Sequence, residues 1–347
     1  MPGKLHTIAH PHGEASALLG VQNRGLTGER GWLDAFWAIS DEKRVEEAIV
    51  VVARGTGGWE VVPLRADAGK TKKTEDCETL ARAGSWVYVL GSQFGSKDGP
   101  LEPRRHFVAR FNESLAAFDG DELKAELHVA RAPFVLHRIV NDAFAQYGLE
   151  VLRPGDEARQ RFILDTIETA KNEEKSWGER VRESDVPINV EGSTFLPGGH
   201  LLLGLRFPPT RDGHPILVEV EGIDRLFDSD DDPAVTGIRV LSNVGSADAP
   251  AGIRELDHFE GIVHAITGNL DSKPEKSVLL AGLPEAANAP NEHWTTPLTL
   301  GKEGVTNVRA KRVRTFKEGS TVEGIALDGD RVWYAHDDPG QIVLEVV

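Results

Sequence analysis

The stretch VEGSTFLPGGHLLLGLRFPP, residues 190–209, decides the fold. A short strand that carries Glu191 leads into a Pro-Gly-Gly turn, and a second apolar strand follows and ends at Arg206. Three related stretches occur elsewhere in the chain: residues 322–339, residues 76–95 and the residues from Phe259 onward. Internal copies of one β unit predict an architecture in which similar units pack against one another.

The spacing of these units points to one class of fold. Five apolar strands end in polar or glycine-rich residues, at 38–42, 89–93, 202–206, 277–282 and 333–338. With the helical segment described next set aside, these strand ends recur about every 50 residues, which is typical of a β-propeller. The sequence therefore predicts an all-β fold, a five- or six-bladed β-propeller that spans residues 1–347 as a single domain. We also expect the C-terminal strand QIVLEVV to pair near the N-terminus, because circular closure removes exposed edges.

One segment has a different periodicity. Between residues 120 and 183 the hydrophobic period changes from 2 to 3.6, and Leu136, Val140 and Phe144 fall on one helical face. Pro154 ends that helix, and a second apolar stripe follows it. We expect residues 120–183 to form a helical hairpin inserted in the propeller. Such an insertion either packs on its own domain or offers a docking surface for another protein.

Composition limits the partners and the location. The formal net charge is −16, and an acidic surface repels phosphate groups, which argues against binding to nucleic acids or anionic membranes. Cys77 is the sole cysteine, so no internal disulfide can form. We see neither a secretory signal nor an apolar run of about 18 residues. We therefore expect a cytoplasmic protein with a protein partner, while the sequence does not indicate the oligomeric state.

The repeated motifs resemble a family of uncharacterised bacterial proteins, the domain of unknown function 3616. The resemblance covers most of the chain outside the helical segment, and the motifs that carry it are VEGSTFLPGGHLLLGLRFPP, GIRELDHFEGI at 252–262, VEGIAL and VWYAHDD within 322–338, and LGSQFGSKDG at 90–99. It implies a β-propeller, distantly similar to phytase-like and lactonase-like propellers, and it implies no reaction. Two positions depart from the family pattern. Residues 91–93 read Gly-Ser-Gln where Gly-Ser-His is expected, and the repeat from Phe259 ends at Ala281-Gly282 without a charge.

Charged residues recur at matching places in the repeats. Four glutamates lie at the expected start of an inner strand: Glu78, Glu191, Glu260 and Glu323. Further charges lie at strand ends or just before a repeat: Arg206, Arg254, Asp337 and Asp338. In a propeller such positions face the central channel or its mouth. One interpretation is a ring that holds a cation or a polar ligand. The other is that glutamates and arginines pair across units, which we favour because arginines neutralise the carboxylates that a metal needs.

No cofactor is predicted. Lactonase-like propellers bind one divalent cation on the channel axis, and the resemblance makes Ca²⁺ the ion to consider, with Asn243, Asn269 and Asp337 beside Glu191. No spacing in the sequence requires such a site. The acidic run at 228–232 lacks the glycine and the bidentate glutamate of a calcium loop.

Motifs for nucleotide binding and for a hydrolase nucleophile are absent from the sequence. The sequence therefore favours a non-enzymatic binding or scaffold protein that engages a protein partner through a propeller face or the helical insertion. The alternative is a metal-assisted hydrolase of phosphoester or lactone type with a site at the channel mouth. That alternative depends on analogy of fold alone.

Overall fold

A computed structural model describes residues 3–9, 15–40, 43–69, 73–229, 231–271, 276–281, 283–287, 289–298, 303–317, 319–338 and 340–347. The strands in these ranges are β1 (Lys4–Ala9), β2 (Ala15–Gly20), β3 (Asp34–Ser40), β4 (Ile49–Gly55), β5 (Gly58–Asp67), β6 (Cys77–Ala83), β7 (Trp86–Gly91), β8 (Phe107–Asn112), β9 (Ala117–Asp119), β10 (Glu122–Arg131), β11 (Asn189–Phe195), β12 (Leu201–Phe207), β13 (Ile216–Glu221), β14 (Ala234–Leu241), β15 (Gly252–Phe259), β16 (Ile262–Gly268), β17 (Glu292–Pro297), β18 (Val305–Val308), β19 (Lys311–Thr315), β20 (Val322–Asp328), β21 (Arg331–Asp338) and β22 (Gln341–Val346). The α-helices are α1 (Arg24–Arg30), α2 (Val45–Ala48), α3 (Val135–Gln146), α4 (Asp156–Arg159), α5 (Asp165–Asn172) and α6 (Arg225–Asp228). A π-helical turn, Gln160–Leu164, joins α4 to α5, and short 3₁₀ turns lie at Pro103–Arg105, Glu113–Leu115, Ser176–Arg180 and Pro284–Ala287.

Strands β9 and β18 pair with β10 and β14, and β5 pairs with β10 in parallel. The other pairings group twenty of the described strands into five antiparallel units of four strands. In order from the inner strand outward these are β2-β3-β4-β5, β6-β7-β8-β10, β11-β12-β13-β14, β15-β16-β17-β19 and β20-β21-β22-β1. Each inner strand contacts the inner strand of the next unit, and β20 contacts β2, so the units form a closed ring. The all-β propeller predicted from the repeats is therefore confirmed.

The ring is closed by the two ends of the described chain. Strand β1 pairs with β22 in antiparallel register from Lys4 opposite Val346 to Ala9 opposite Gln341. The N-terminal strand thus completes the unit that the last three strands begin, which confirms the pairing expected for the C-terminal strand. The closure also covers an edge of β22 that would otherwise be open to pairing with other chains.

Apolar side chains hold neighbouring units together. Buried residues form one cluster at each junction, with Trp37 and Phe111 between the first two units and Trp333 and Phe36 between the last unit and the first. Strand residues point alternately to the two faces of each unit, so each unit buries both faces only when it has a neighbour on each side. The repeat found in the sequence and the closed ring are therefore two consequences of the same burial.

The helical segment begins later than predicted. Residues 122–131 form strand β10, in which Leu123 and Leu127 are buried, so the expected boundary at residue 120 was wrong. This outer strand is half exposed, and its mixed polar pattern hid it among the helical residues. Helix α3 packs Leu136 and Phe144 into the core between the second and third units. Phe162 and Ile163 lie instead in a separate cluster with loop residues such as Leu270.

Another expectation also fails. Residues 276–281 form turns rather than the predicted strand, and the third strand of the fourth unit is β17. Gly282, the other end of that prediction, lies outside the described residues. Among the helices of the described ranges, none is long and apolar enough to cross a membrane.

Candidate functional site

A β-bulge recurs near the N-terminal ends of four inner strands. The pairing register shifts between Cys77 and Thr79, between Val190 and Gly192, between Ile253 and Glu255, and between Val322 and Gly324. The extra residues are Glu78, Glu191, Arg254 and Glu323. A bulge leaves its extra residue outside the ladder and changes the direction of the side chain. Equivalent bulges in adjacent inner strands therefore bring these four residues to the same mouth of the channel.

Arg254 is central to this group. Its Nε atom lies 3.3 Å from Oε2 of Glu191, and its Nη2 atom bonds Oε1 of Glu323. Burial alone would lower the pKa of the guanidinium, but the carboxylates, first of all Glu191 and Glu323, raise it above the ordinary value. The charges of Glu78 and Asp337 contribute to this rise. The side chain is only 2% exposed, so Arg254 is a buried cation held among carboxylates from other units.

Glu191 accepts from further donors. Nη1 of Arg206 bonds Oε1 of Glu191, and Nδ2 of Asn189 donates to the same oxygen at 3.2 Å. Arg206 is itself fixed by a 3.1 Å bond from its Nε to the backbone oxygen of Asn269. Both carboxylate oxygens of Glu191 therefore already contact guanidinium or amide groups. Three buried atoms beside them have no hydrogen-bond partner among the described residues: Nε of Arg254, Nη2 of Arg206 and Oδ1 of Asn189.

Burial outweighs attraction for two carboxyls at this mouth. The pKa of Glu323 is raised by burial, although Arg254 opposes the rise. The pKa of Asp76 is raised for the same reason, although Arg105 lies 2.7 Å from its Oδ2. Glu191 contributes to the rise for both of them. The mouth is thus a crowded set of carboxylates whose repulsion is relieved by arginines.

Six of the eight predicted residues meet at this mouth, namely Glu78, Glu191, Arg206, Arg254, Glu323 and Asp337. Glu260 does not, because it lies exposed in the turn between β15 and β16 with φ at +50°. The position equivalent to Glu191 in that repeat is Arg254, so the alignment on the Glu-Gly pair was wrong. Asp338 accepts a 2.7 Å bond from Nε2 of Gln341 at the end of β21, and no hydrogen bond or ion pair of the described residues joins it to the group.

The geometry favours pairing over metal binding. Asn243, a ligand considered for a cation, bonds both the backbone oxygen and the backbone nitrogen of Ala310, at 2.9 and 2.8 Å. Within the described ranges, no three or more His, Cys, Asp or Glu side chains are grouped so that they could hold a metal ion. The residues at the mouth therefore fit a network of ion pairs better than they fit Ca²⁺.

Sequence reasoning missed a groove on the outer side of the ring. This outer groove has a volume of about 1350 Å³ and lies beside β5, β10 and α6. Its apolar lining includes Trp86, Phe118, Leu115 and Phe227. The guanidinium of Arg110 lies 4.8 Å from the ring centre of Trp86 and 4.2 Å from that of Phe227, which is cation–π geometry. These residues are far apart in sequence, so no local motif indicated them.

Fold and site together define an all-β propeller with a charged, arginine-filled channel mouth. No model of a known protein family matches the chain, and a search of curated proteins finds no match. Similar solved structures include glutaminyl cyclase from Myxococcus xanthus, with 10% identity, a TM-score of 0.37 and full coverage of both chains. An exo-1,5-α-L-arabinanase from a bovine ruminal metagenomic library has 8% identity and a TM-score of 0.41, covering 96% of this chain and 92% of that chain. The β-propeller domain of Cps50 (Swd1) from Myceliophteria thermophila has 10% identity, a TM-score of 0.36 and full coverage of both chains. At these values the likeness carries no argument about chemistry.

Proposed function

We propose that this chain is a non-enzymatic binding protein that engages a protein partner. The observation that carries the proposal is that arginines form ion pairs with the carboxylates of the channel mouth. Glu191 in particular pairs with both Arg206 and Arg254. A metal-assisted hydrolase needs carboxylate oxygens that converge on one ion. Oxygens already engaged by buried guanidinium groups do not meet that need. The proposal includes a cytoplasmic location and membership of the family of the domain of unknown function 3616.

The outer groove is the surface that best fits such a partner. The predicted alternative, the helical segment, has Phe162 and Ile163 buried in its own core, so these side chains are not available for docking. The groove instead offers aromatic rings, an arginine and Leu115, whose exposed fraction is 76%. Aromatic residues and arginine are enriched where protein interfaces gain most of their binding energy.

Charge indicates the kind of partner. The cations near the groove have internal partners, since Arg110 bonds Asp228 at 3.1 Å and Lys124 bonds Asp119 at 2.6 Å. Glu126, with a side chain that is 81% exposed, contacts only His128, at 3.8 Å, among the ion pairs of the described residues. Together with the net charge of −16, this favours a basic segment that carries apolar side chains.

A peptide selection tests the proposal. We expect a random peptide display library, panned on the native protein, to yield basic sequences with aromatic or aliphatic residues. Leu115→Ser removes apolar surface in the groove, and the matched control is Leu5→Ser in β1, where the leucine is 61% exposed. Glu126→Lys reverses a charge at the groove, and its control is Glu150→Lys, whose side chain is 75% exposed away from the groove.

The result expected is a loss of binding for both groove variants and retained binding for both controls. The selected peptides should lose at least about tenfold in affinity for either groove variant. Leu115→Ser removes an apolar contact of the peptide, and Glu126→Lys places a positive charge opposite its basic residues. The proposal is wrong if no peptide is enriched over a blank surface. It is also wrong if the controls lose as much affinity as the groove variants.

A further inference from the structure

A second opening of the channel contains a cavity that the charged mouth does not use. This cavity, here called the lower cavity, has a volume of about 610 Å³, within the size range of small-molecule sites. It lies at the C-terminal ends of the inner strands, opposite the bulges. All five inner strands contribute to its lining, through Gly20, Arg82, Phe195, Asp257 and Leu327 among others. A site built from every unit of the ring is fixed by the whole fold rather than by one loop.

Asp257 is the group in this cavity with no cationic partner. Its Oδ1 accepts the backbone N–H of His258 at 2.8 Å, and its Oδ2 accepts the backbone N–H of Leu327 at 3.1 Å. No ion pair within 4.0 Å involves Asp257 among the described residues, although Arg82 acts on it at longer range. The carboxylate is therefore held by backbone groups of two inner strands, and no cation of the described residues pairs with it directly.

The other charges of the cavity are already matched. Nη1 of Arg331 lies 2.7 Å from Oδ1 of Asp34, and Arg331 also bonds Asp328. Arg82 lies 2.8 Å from Glu113, with which it forms a buried pair. Burial raises the pKa of Asp257 to about 6, although two backbone N–H groups and, at longer range, Arg82 oppose the rise. A ligand that supplies a positive charge would stabilise the ionised carboxylate.

The apolar part of the lining favours an organic cation over a bare metal ion. The lining of the cavity also includes four aromatic residues: Trp32, Phe36, Phe195 and Phe259. Aromatic rings attract organic cations through their quadrupole, and a carboxylate supplies the counter-charge. Metal ions of the Ca²⁺ type need several oxygen ligands, which one anchored carboxylate does not provide.

We propose that the lower cavity binds a small organic ammonium ion, with Asp257 as its counter-charge and the surrounding aromatic rings as its walls. Arg82, which also lines the cavity, stays paired with Glu113. The site is independent of the outer groove and of the charged mouth. A protein could therefore carry this ligand whether or not the groove binds a peptide.

Calorimetric titration tests the proposal with choline and with its uncharged isostere 3,3-dimethylbutan-1-ol. Methylammonium and ethylammonium complete the series. The variant Asp257→Asn removes the charge with little change in shape, and Asp338→Asn, at the end of β21 and outside the lining of the lower cavity, is the matched control. Melting curves establish that each variant is folded. If Asp257→Asn does not fold, the comparison of choline with its isostere on native protein decides the outcome.

We expect native protein to bind at least one ammonium ion, and to bind choline at least about tenfold more tightly than the uncharged isostere. Asp257→Asn should weaken ammonium binding at least about tenfold, and Asp338→Asn should leave it unchanged. Equal affinity for choline and its isostere would overturn the proposal. So would unchanged binding to Asp257→Asn, or no binding of any of the three ammonium ions at millimolar concentration.

Discussion

Replacing Arg254 by methionine removes the cation that holds the channel mouth together. The methionine side chain fills much of the volume of the arginine stem, so the main loss is electrostatic. Glu323 loses the guanidinium it bonds, and among the described residues Glu191 keeps only Arg206 as a cationic partner. Breaking a buried ion pair by removing one partner costs about 3–5 kcal/mol, because a charge stays buried without compensation. Since the Glu323 side chain is 21% exposed, we expect a cost at the lower end, about 3 kcal/mol.

The assay is urea unfolding of native protein and variants, followed by tryptophan fluorescence. A second substitution separates lost charge balance from lost packing. In Arg254→Met/Glu323→Gln the uncompensated carboxylate is gone, so we expect the double variant to recover about 1–2 kcal/mol relative to Arg254→Met. The control is Arg65→Met, since Arg65 pairs with Glu122 at the surface, where the side chains are 69% and 48% exposed. That change should cost less than about 1 kcal/mol.

Two results would refute this reasoning. If Arg254→Met costs no more than Arg65→Met, Arg254 does not hold the carboxylates of the mouth. If Glu323→Gln adds a further cost on top of Arg254→Met, the two residues are not coupled through their charges. Positive coupling between residues so distant in sequence arises when the inner strands of the fourth and fifth units lie side by side.

Two further predictions concern metals and pH. Adding Ca²⁺, Mg²⁺, Mn²⁺ or Zn²⁺ should leave the melting temperature unchanged, because arginines already engage the carboxylates of the mouth and we expect no ion to bind there. A bound ion would raise the melting temperature by mass action. A rise that Glu323→Gln abolishes would favour the hydrolase instead. Burial raises the pKa of Glu255 well above its usual 4.5, so this residue should make the native state lose stability as pH rises above that value: the unfolded chain ionises first, while the folded carboxyl stays protonated. Glu255→Gln does not titrate, so its unfolding free energy relative to native protein should increase between pH 5 and pH 8, and a constant difference would contradict the assignment.

Much of the charged mouth could be predicted from sequence because the fold repeats. The Val-Glu-Gly motif marks the bulge in β11 and in β20, whereas its third copy, at residues 220–222, ends β13. Glu191 and Glu323 therefore follow from the motif together with the repeated strands around it. The fourth unit shows why the pattern fails. Its bulge carries Arg254, whereas the Glu-Gly pair at residues 260–261 belongs to a turn, and only strand register distinguishes the two. Arg254 was predicted at the channel mouth as a charge just before a repeat, but its equivalence to Glu191 follows only from the register of β15.

The two cavities could not be predicted, for a physical reason. In the outer groove, Trp86, Arg110 and Phe227 come from separate segments and meet through packing of one unit against the next. In the lower cavity, Asp257 is distinguished by having no ion pair among the described residues. The nearby arginines pair elsewhere, Arg82 with Glu113 and Arg331 with Asp34. Tertiary contacts of this kind leave no periodic or motif signal. The sequence analysis assigned the residues of β10 to the helical segment, because a half-exposed outer strand needs few apolar residues and shows no clear alternation.

The most direct test of the central claim, that the inner strands close into one ring and bring their bulges together, is a crystal structure at a resolution that shows side chains. We predict that the guanidinium of Arg254 lies within about 4 Å of carboxylate oxygens of both Glu191 and Glu323, the distance that defines an ion pair. We also predict β1 paired with β22. Arg254 and Glu323 on separate surfaces, or two stacked sheets without a ring of inner strands, would contradict the account.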